Sequence, residues 1–211
     1  MSILDDLRKS VIDGELNVTQ NQVHQALAEN IPPEKILTDG LIAAMSEVGQ
    51  MFENGEFYVP ELLISARAMK GGLAILRPQL AAANIKAIGR VVIGTVQGDL
   101  HDIGKNLVGM MLEGAGFEVI DLGADVSPER YVAAVKENLP DLIGLSALLT
   151  TTMPRMKDVV LALQAAGLRE MVKVMIGGAP VTEQYAKEIG ADIYAPDAAS
   201  AAQHARQSLQ G

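Results

Sequence analysis

Five short, almost wholly apolar runs, each followed by a stretch of helical periodicity, constrain this chain more than any other feature. The runs fall at 90–96, 117–122, 141–147, 172–176 and 191–195, with helical stretches near 104–115, 128–139, 153–166, 182–189 and 198–209. A strand that is apolar on both faces needs cover on both, and the helices of parallel β-α-β units supply it. Five such units predict a flavodoxin-like (Rossmann-like) doubly wound α/β domain with a five-stranded parallel sheet, order 2-1-3-4-5. In that order the winding reverses between strands 1 and 3, and ligands of open α/β sheets bind at the carboxyl ends beside such a point.

The loop after strand 1 reads Gly98-Asp99-Leu100-His101-Asp102-Ile103-Gly104-Lys105-Asn106. The loop after strand 3 runs from Ser146 through Leu148 to Thr150, Thr151 and Thr152, and strand 4 ends at Gly177-Gly178. His101 has one carboxylate two residues before it and another beside it. A histidine whose second nitrogen donates to a carboxylate is a common metal-ligand arrangement. A single protein ligand does not make a zinc site, which needs three or four. A metal at His101 therefore has to arrive inside a cofactor carrying its other ligands. The competing readings are a plain surface histidine and a phosphate-binding loop. The loop matches neither Gly-x-Gly-x-x-Gly nor a Walker pattern, although Lys105 at the helix start suits an anion. One of the three threonines is expected to cap the next helix. His24 and His204 read as solvated helix-face residues, and Met45, Met69, Met110 and Met111 as core filler.

Residues 1–85 read as a separate all-α four-helix bundle, with the α/β domain at 86–211 and a linker over 81–89. Ile3, Leu4, Leu7 and Val11 form one stripe, stopped near Gly14. Asn17 with Gln20 suggests a capping box for a helix carrying Val23 and Leu27 inward. After Pro32-Pro33, a third helix aligns Leu37, Leu41, Met45, Val48 and Phe52 and ends in a left-handed cap at Asn54-Gly55. A fourth, after Pro60, aligns Leu62, Ala66, Met69, Leu73, Leu76 and Leu80.

Composition narrows the chemistry. The 211 residues carry a net charge of -9 with no basic cluster, which argues against nucleic acid. There is no cysteine, which removes disulfides, thiolate zinc sites and cysteine nucleophiles. No apolar run approaches the ~18 residues of a membrane span, and the amino terminus lacks a signal peptide's apolar centre. The expectation is a soluble cytoplasmic protein with no membrane partner.

Three motifs occur in order: Asp99-x-His101-x-x-Gly104, Ser146-x-Leu148 and Gly177-Gly178. Together they resemble the signature of cobalamin-binding domains that hold the corrinoid base-off, with histidine on cobalt. The front half, Met45-x-x-Val48-Gly49-x-x-Phe52-Glu53-x-Gly55-x-x-x-Val59-Pro60-Glu61 followed by Ser65-Ala66-x-Ala68-Met69, resembles the helical cap of methyl-transferring corrinoid proteins. The layout is similar to the stand-alone corrinoid proteins of methylamine or methanol methyltransferase systems, and to the cap and cobalamin domains of methionine synthase. The resemblance implies a role for each residue. His101 is the lower axial ligand of cobalt, Asp99 bonds its other ring nitrogen, and Thr152 extends that relay in place of the usual Ser. Gly98, Leu100, Asp102, Ile103 and Gly104 complete the cofactor loop. Ser146 and Thr150 contact the displaced nucleotide tail or corrin edge, Leu148, Gly177 and Gly178 line the tail's channel, and Ala198 is a further tail contact. Phe52 and Val59 (commonly Leu) cover the upper face.

The function so implied is carriage of a methyl group on cobalt, cycling between Co(I) and methyl-Co(III). A substrate-specific methyltransferase would load it. A second, using tetrahydrofolate or a thiol such as coenzyme M, would unload it, with a reductive activator as a possible third partner. A histidine that can leave cobalt and take a proton suits such a cycle, and Asp99 would bias that proton. A corrinoid-dependent sensor is the alternative, although no output segment is visible. The cobalamin subunit of a carbon-skeleton mutase comes next. A phospho-accepting receiver domain shares the strand order but needs an Asp where this chain has Ser146.

Overall fold

The structure, a computed structural model, describes residues 2–209. The chain forms two compact units: one runs up to Ala87 and includes Glu113–Gly116, the other holds Ile88–Leu112 and everything from Phe117 onward.

The first unit is helical. Helix α1 (Ile3–Ile12) opens on a capping box, in which Ser2 Oγ accepts the Asp5 N–H and the Asp5 carboxylate accepts the Ser2 N–H. Helix α2 is Leu16–Ala28, with Glu15 at its N-cap. The expected cap at Asn17 is therefore wrong. Gly14, at φ 73, turns the chain early, and the Glu15 carbonyl already accepts the Thr19 N–H, so Asn17 lies inside the helix. The third helical stretch is continuous but not uniform: α3 (Pro33–Lys35), a π-helical segment Ile36–Ile42, and α4 (Ala43–Glu53). The widened turn takes up one extra residue, so Ile36 rather than Leu37 is fully buried, five positions before Leu41. Met45 and Val48 follow as expected, and Gly55, at φ 75, ends the helix. Helix α5 (Val59–Ala82) buries Leu62, Ala66, Met69, Leu76 and Leu80. Added Cβ atoms on its Gly71 and Gly72 would fall 2.2 Å from Leu16 and 3.1 Å from Leu41 and Thr19, so the helices approach closely there.

The second unit is a five-stranded parallel sheet in the order β2-β1-β3-β4-β5: β1 (Arg90–Thr95), β2 (Glu118–Asp121), β3 (Leu142–Ser146), β4 (Lys173–Gly177) and β5 (Ile193–Ala195). The crossover helices are α6 (Ile103–Gly114), α7 (Pro128–Asn138), α8 (Pro154–Ala165) and α9 (Glu183–Ile189), with α10 (Ala198–Ser208) after β5. One sheet face packs Val92, Ile143, Leu145, Val174 and Ile176 against Tyr131, Val135, Met156, Val159, Leu163 and Ile189. On the other, an added Cβ at Gly109 of α6 would lie 2.9 Å from Ile93, so this helix sits close on the sheet.

Register levels the carboxyl edge. Thr95 pairs with Ser146, Ser146 with Gly177, and Gly177 with Ala195. At roughly 4.8 Å per strand these four residues form a row about 14 Å long. The motif loops all leave the sheet from this row.

Candidate functional site

The His101 loop begins with a turn at Gly98, φ 82. Thr95, fully buried at the end of β1, donates its hydroxyl to the His101 carbonyl at 2.9 Å. Asp99 is also fully buried, and its carboxylate is saturated with donors. Oδ1 accepts the His101 ring Nδ1 at 2.7 Å and the His101 backbone N–H at 3.1 Å. Oδ2 accepts the Leu148 and Leu149 N–H groups at 2.8 and 3.3 Å, and Thr152 Oγ1 at 2.6 Å. Burial alone would push the Asp99 pKa up. The bonds from Thr152, the Leu148 N–H and His101 outweigh it and hold the group well below the usual carboxylate range.

An ionised carboxylate only accepts hydrogen bonds. His101 Nδ1 therefore carries the hydrogen, and in the neutral ring Nε2 keeps its lone pair. The ring is half exposed, and four apolar side chains in the same loops face solvent: Leu100 at 76%, Ile103 at 80%, Leu148 at 44% and Leu149 at 42%. Gly104 leaves room as well, since an added Cβ would meet nothing within 4 Å. An oriented nitrogen lone pair, an apolar rim and an open backbone can receive a flat, largely apolar ring carrying a metal. Among the described residues no three His, Asp or Glu side chains gather as a metal site.

The other expected residues divide. Asp102 makes no bond to the ring. Its carbonyl and carboxylate accept the Asn106 N–H and side-chain amide at 2.8 and 3.1 Å, which starts α6. Lys105 is buried against Asn106 Oδ1 at 2.6 Å and Asp121 Oδ2 at 2.5 Å, so the anion expected at this lysine is the protein's own Asp121. None of the three threonines caps α8. The N-cap is Met153, with no side-chain bond, and Pro154 in the first turn leaves one fewer N–H to satisfy. Thr152 is instead committed to Asp99, while Thr150 and Thr151 are exposed and Ser146 is half-buried. Leu148 contributes a backbone donor as well as a side chain. Gly178, at φ 131, would place a Cβ 1.9 Å from the Ala147 carbonyl, and Gly177 one 2.9 Å from the Ala195 carbonyl. Backbone packing therefore requires both glycines whether or not a ligand lies beside them. Ala198 is buried in the first turn of α10, where Asp197 accepts the Ser200 N–H at 2.8 Å. Phe52 and Val59 belong to the helical unit, at the two ends of the loop joining α4 to α5; Phe52 is half-buried and Val59 41% exposed. His24 is exposed, but His204 is not a free face residue: its Nδ1 lies 3.1 Å from the Tyr194 carbonyl.

Two participants were not anticipated from the sequence. Thr95 looked like one more residue of an apolar run. Asp125, after β2, accepts the Gly98 N–H at 2.7 Å and donates its own N–H to the Asp99 carbonyl at 3.0 Å. Nothing in its spacing signalled that.

Residues 89–205 match the family described as "B12 binding domain", and residues 3–77 match a second family of the same description. The chain belongs to the B12-binding family. This B12-binding chain is 42% identical to "Dimethylamine corrinoid protein 3" of Methanosarcina acetivorans, over 99% of its own length and 100% of that protein's. It is 39% identical to "Trimethylamine corrinoid protein" of Methanosarcina barkeri, over 98% and 96%. Among solved structures it is similar to a cobalamin-binding protein from Desulfitobacterium hafniense (34% identity, TM-score 0.82, covering 99% of this chain and 98% of that one). It is also similar to a chain of the methanol:cobalamin methyltransferase complex MtaBC of Methanosarcina barkeri (30% identity, TM-score 0.88, 99% and 80%). No described helix is long and apolar enough to cross a membrane.

Proposed function

We propose that this B12-binding protein carries methyl groups between two methyltransferases, with the corrinoid held base-off and His101 Nε2 as the lower ligand of cobalt. The observation that carries this reading is the bonded series Thr152–Asp99–His101, which ends in a half-exposed ring at the carboxyl edge of the sheet. When bound, the corrinoid supplies a nucleophilic cobalt that takes up a methyl group and gives it away.

The chain's own residues do the rest. Asp99 fixes the ring tautomer and angle, so the Nε2 lone pair is presented rather than searched for. Nε2 would be the nitrogen that holds the corrinoid, while the Nδ1–Asp99 bond keeps the ring's orientation. The bonds from Thr152 and the Leu148 N–H favour the ionised form of Asp99. Ser146, Thr150, Ala198 and the two glycines are assigned to the cofactor's nucleotide side, and Phe52 and Val59 to shielding it from water. The relatives' names make methylamines and methanol the first donors to test. A pterin or thiol would be the acceptor and a reductive activator a third partner.

H101A tests the ligand. The wild-type protein is reconstituted with a corrinoid and the cobalt(II) form examined by electron paramagnetic resonance, where one axial nitrogen splits each line into three. The splitting is expected in the wild type, to become a doublet with 15N-histidine, and to vanish in H101A. A 15N-insensitive spectrum would overturn the assignment.

A further inference from the structure

The His101 loop sits on β1, between the loops of β3 and β2. The β3 loop grips the Asp99 carboxylate. The β2 loop grips the backbone on either side of the same residue, through Asp125 alone: its carboxylate takes the Gly98 N–H at 2.7 Å and its N–H reaches the Asp99 carbonyl at 3.0 Å. Neighbouring backbone bonds, Thr95 N–H to the Gly123 carbonyl and Val126 N–H to the Thr95 carbonyl, tie the same loop to the strand end. Asp125 makes this clamp in the left-handed region, at φ 55, where only Asp, Asn and Gly sit at modest cost.

We infer that Asp125 is a positioning residue for the cobalt ligand, acting through the Gly98–Asp99 backbone. Asp99 orients the His101 ring with one oxygen while its other oxygen is pinned to the β3 loop. Such a carboxylate holds its ring angle only if its own backbone stays still. The Thr152 and Leu148 bonds pull from one side, and Asp125 supplies the opposing restraint. This deepens the ligand reading above and rests on it.

Two variants separate geometry from charge. D125G accepts φ 55 without strain and loses the carboxylate; D125N keeps an acceptor oxygen and the same backbone preference but is neutral. In the apo-protein, Gly98 amide hydrogen exchange should rise by about tenfold or more in D125G and stay near wild type in D125N. The thermal midpoint should fall by only about 2–4 °C in D125G and stay near wild type in D125N. After reconstitution, D125G should bind corrinoid about fivefold more weakly, because a loop loosened in the apo-protein has to be ordered on binding. Its cobalt(II) nitrogen splitting should also be partly lost, and D125N should restore both. Wild-type exchange and wild-type splitting in D125G would overturn the clamp, and a D125N that behaves like D125G would show charge rather than geometry at work. A wild type with no nitrogen splitting would instead sink the ligand assignment, while the apo exchange result would still report on the clamp.

Discussion

Replacing Thr152 by Val exchanges its hydroxyl for a methyl of similar volume and so removes one hydrogen-bond donor. The Thr152 hydroxyl lies 2.6 Å from Asp99 Oδ2 and 3.0 Å from the Leu149 carbonyl; the shorter, charged acceptor takes its single hydrogen. Both side chains are buried. A buried hydrogen bond to a charged group contributes about 1.5–3 kcal/mol. Oδ2 keeps the Leu148 and Leu149 N–H groups, so T152V should cost about 2 kcal/mol, or roughly thirtyfold in the folding equilibrium. With a urea slope near 2 kcal/mol/M that moves the midpoint of the sheet-containing unit down by about 1 M. T152S, which keeps the donor and loses a methyl, should cost about 1 kcal/mol or less. The sign with pH follows from Asp99. Its folded pKa is depressed, so its stabilisation is present above the ordinary carboxylate range and is lost as pH falls toward the folded value. Without Thr152 the folded value rises, so the loss starts at the same unfolded pKa in both proteins but is complete at higher pH in T152V. The gap between wild type and T152V should therefore be full at pH 7, hold through the ordinary carboxylate range, and narrow only once the pH falls through the folded value of T152V. A T152V as stable as wild type at pH 7, or a gap that widens in acid, would refute the claim that this hydroxyl holds Asp99 ionised.

Two other substitutions probe the sheet itself. The Tyr131 hydroxyl is buried without a partner, and burial pushes the phenol's pKa up. Y131F should therefore be neutral or stabilising by up to about 1 kcal/mol at pH 7. It should also spare the protein part of the stability lost above about pH 10, where the unfolded phenol ionises and the folded one does not; urea midpoints at pH 8 and 10.5 measure both. G178A would drive a Cβ to 1.9 Å from the Ala147 carbonyl at φ 131, and should destabilise the apo-protein by about 3 kcal/mol or more in the same titration, with no cofactor present.

The five strands and their order were legible because a fully covered parallel strand carries no polar alternation, and the runs stand out against helical spacing. The helical half was legible by stripe but not by register. The apolar pattern around Ile36 and Leu37 admits either residue inside, and only the π-helical turn, a product of packing, decides for Ile36. The Asp99–His101 pair was readable since two residues of separation let a carboxylate reach both the backbone and the ring of its neighbour. Thr152 was named for the relay only by resemblance. Three adjacent threonines look alike, and which one turns inward is set by the register that puts Ser146 beside Thr95. Lys105 suited an anion, but its partner, Asp121, could not be named because it ends a different strand. Asp125 was invisible for the same reason.

The strand order explains why the histidine sits where it does. In a sheet ordered 1-2-3, the loop after the first strand would hang from an edge with one neighbour. In the order β2-β1-β3 it has two, and both are used: β3 for the Asp99 carboxylate, β2 for its backbone. A residue that is to hold a cofactor, as we propose for His101, must be exposed, and an exposed side chain ordinarily loses rotamer freedom on binding, about 0.5–1.5 kcal/mol for a flexible one. His101 has lost much of that freedom in advance, because its Nδ1, its N–H and its carbonyl are all bonded while the ring stays half exposed. The topological switch point thus does more than open a crevice: it lets one half-exposed ring be held from two sides at once.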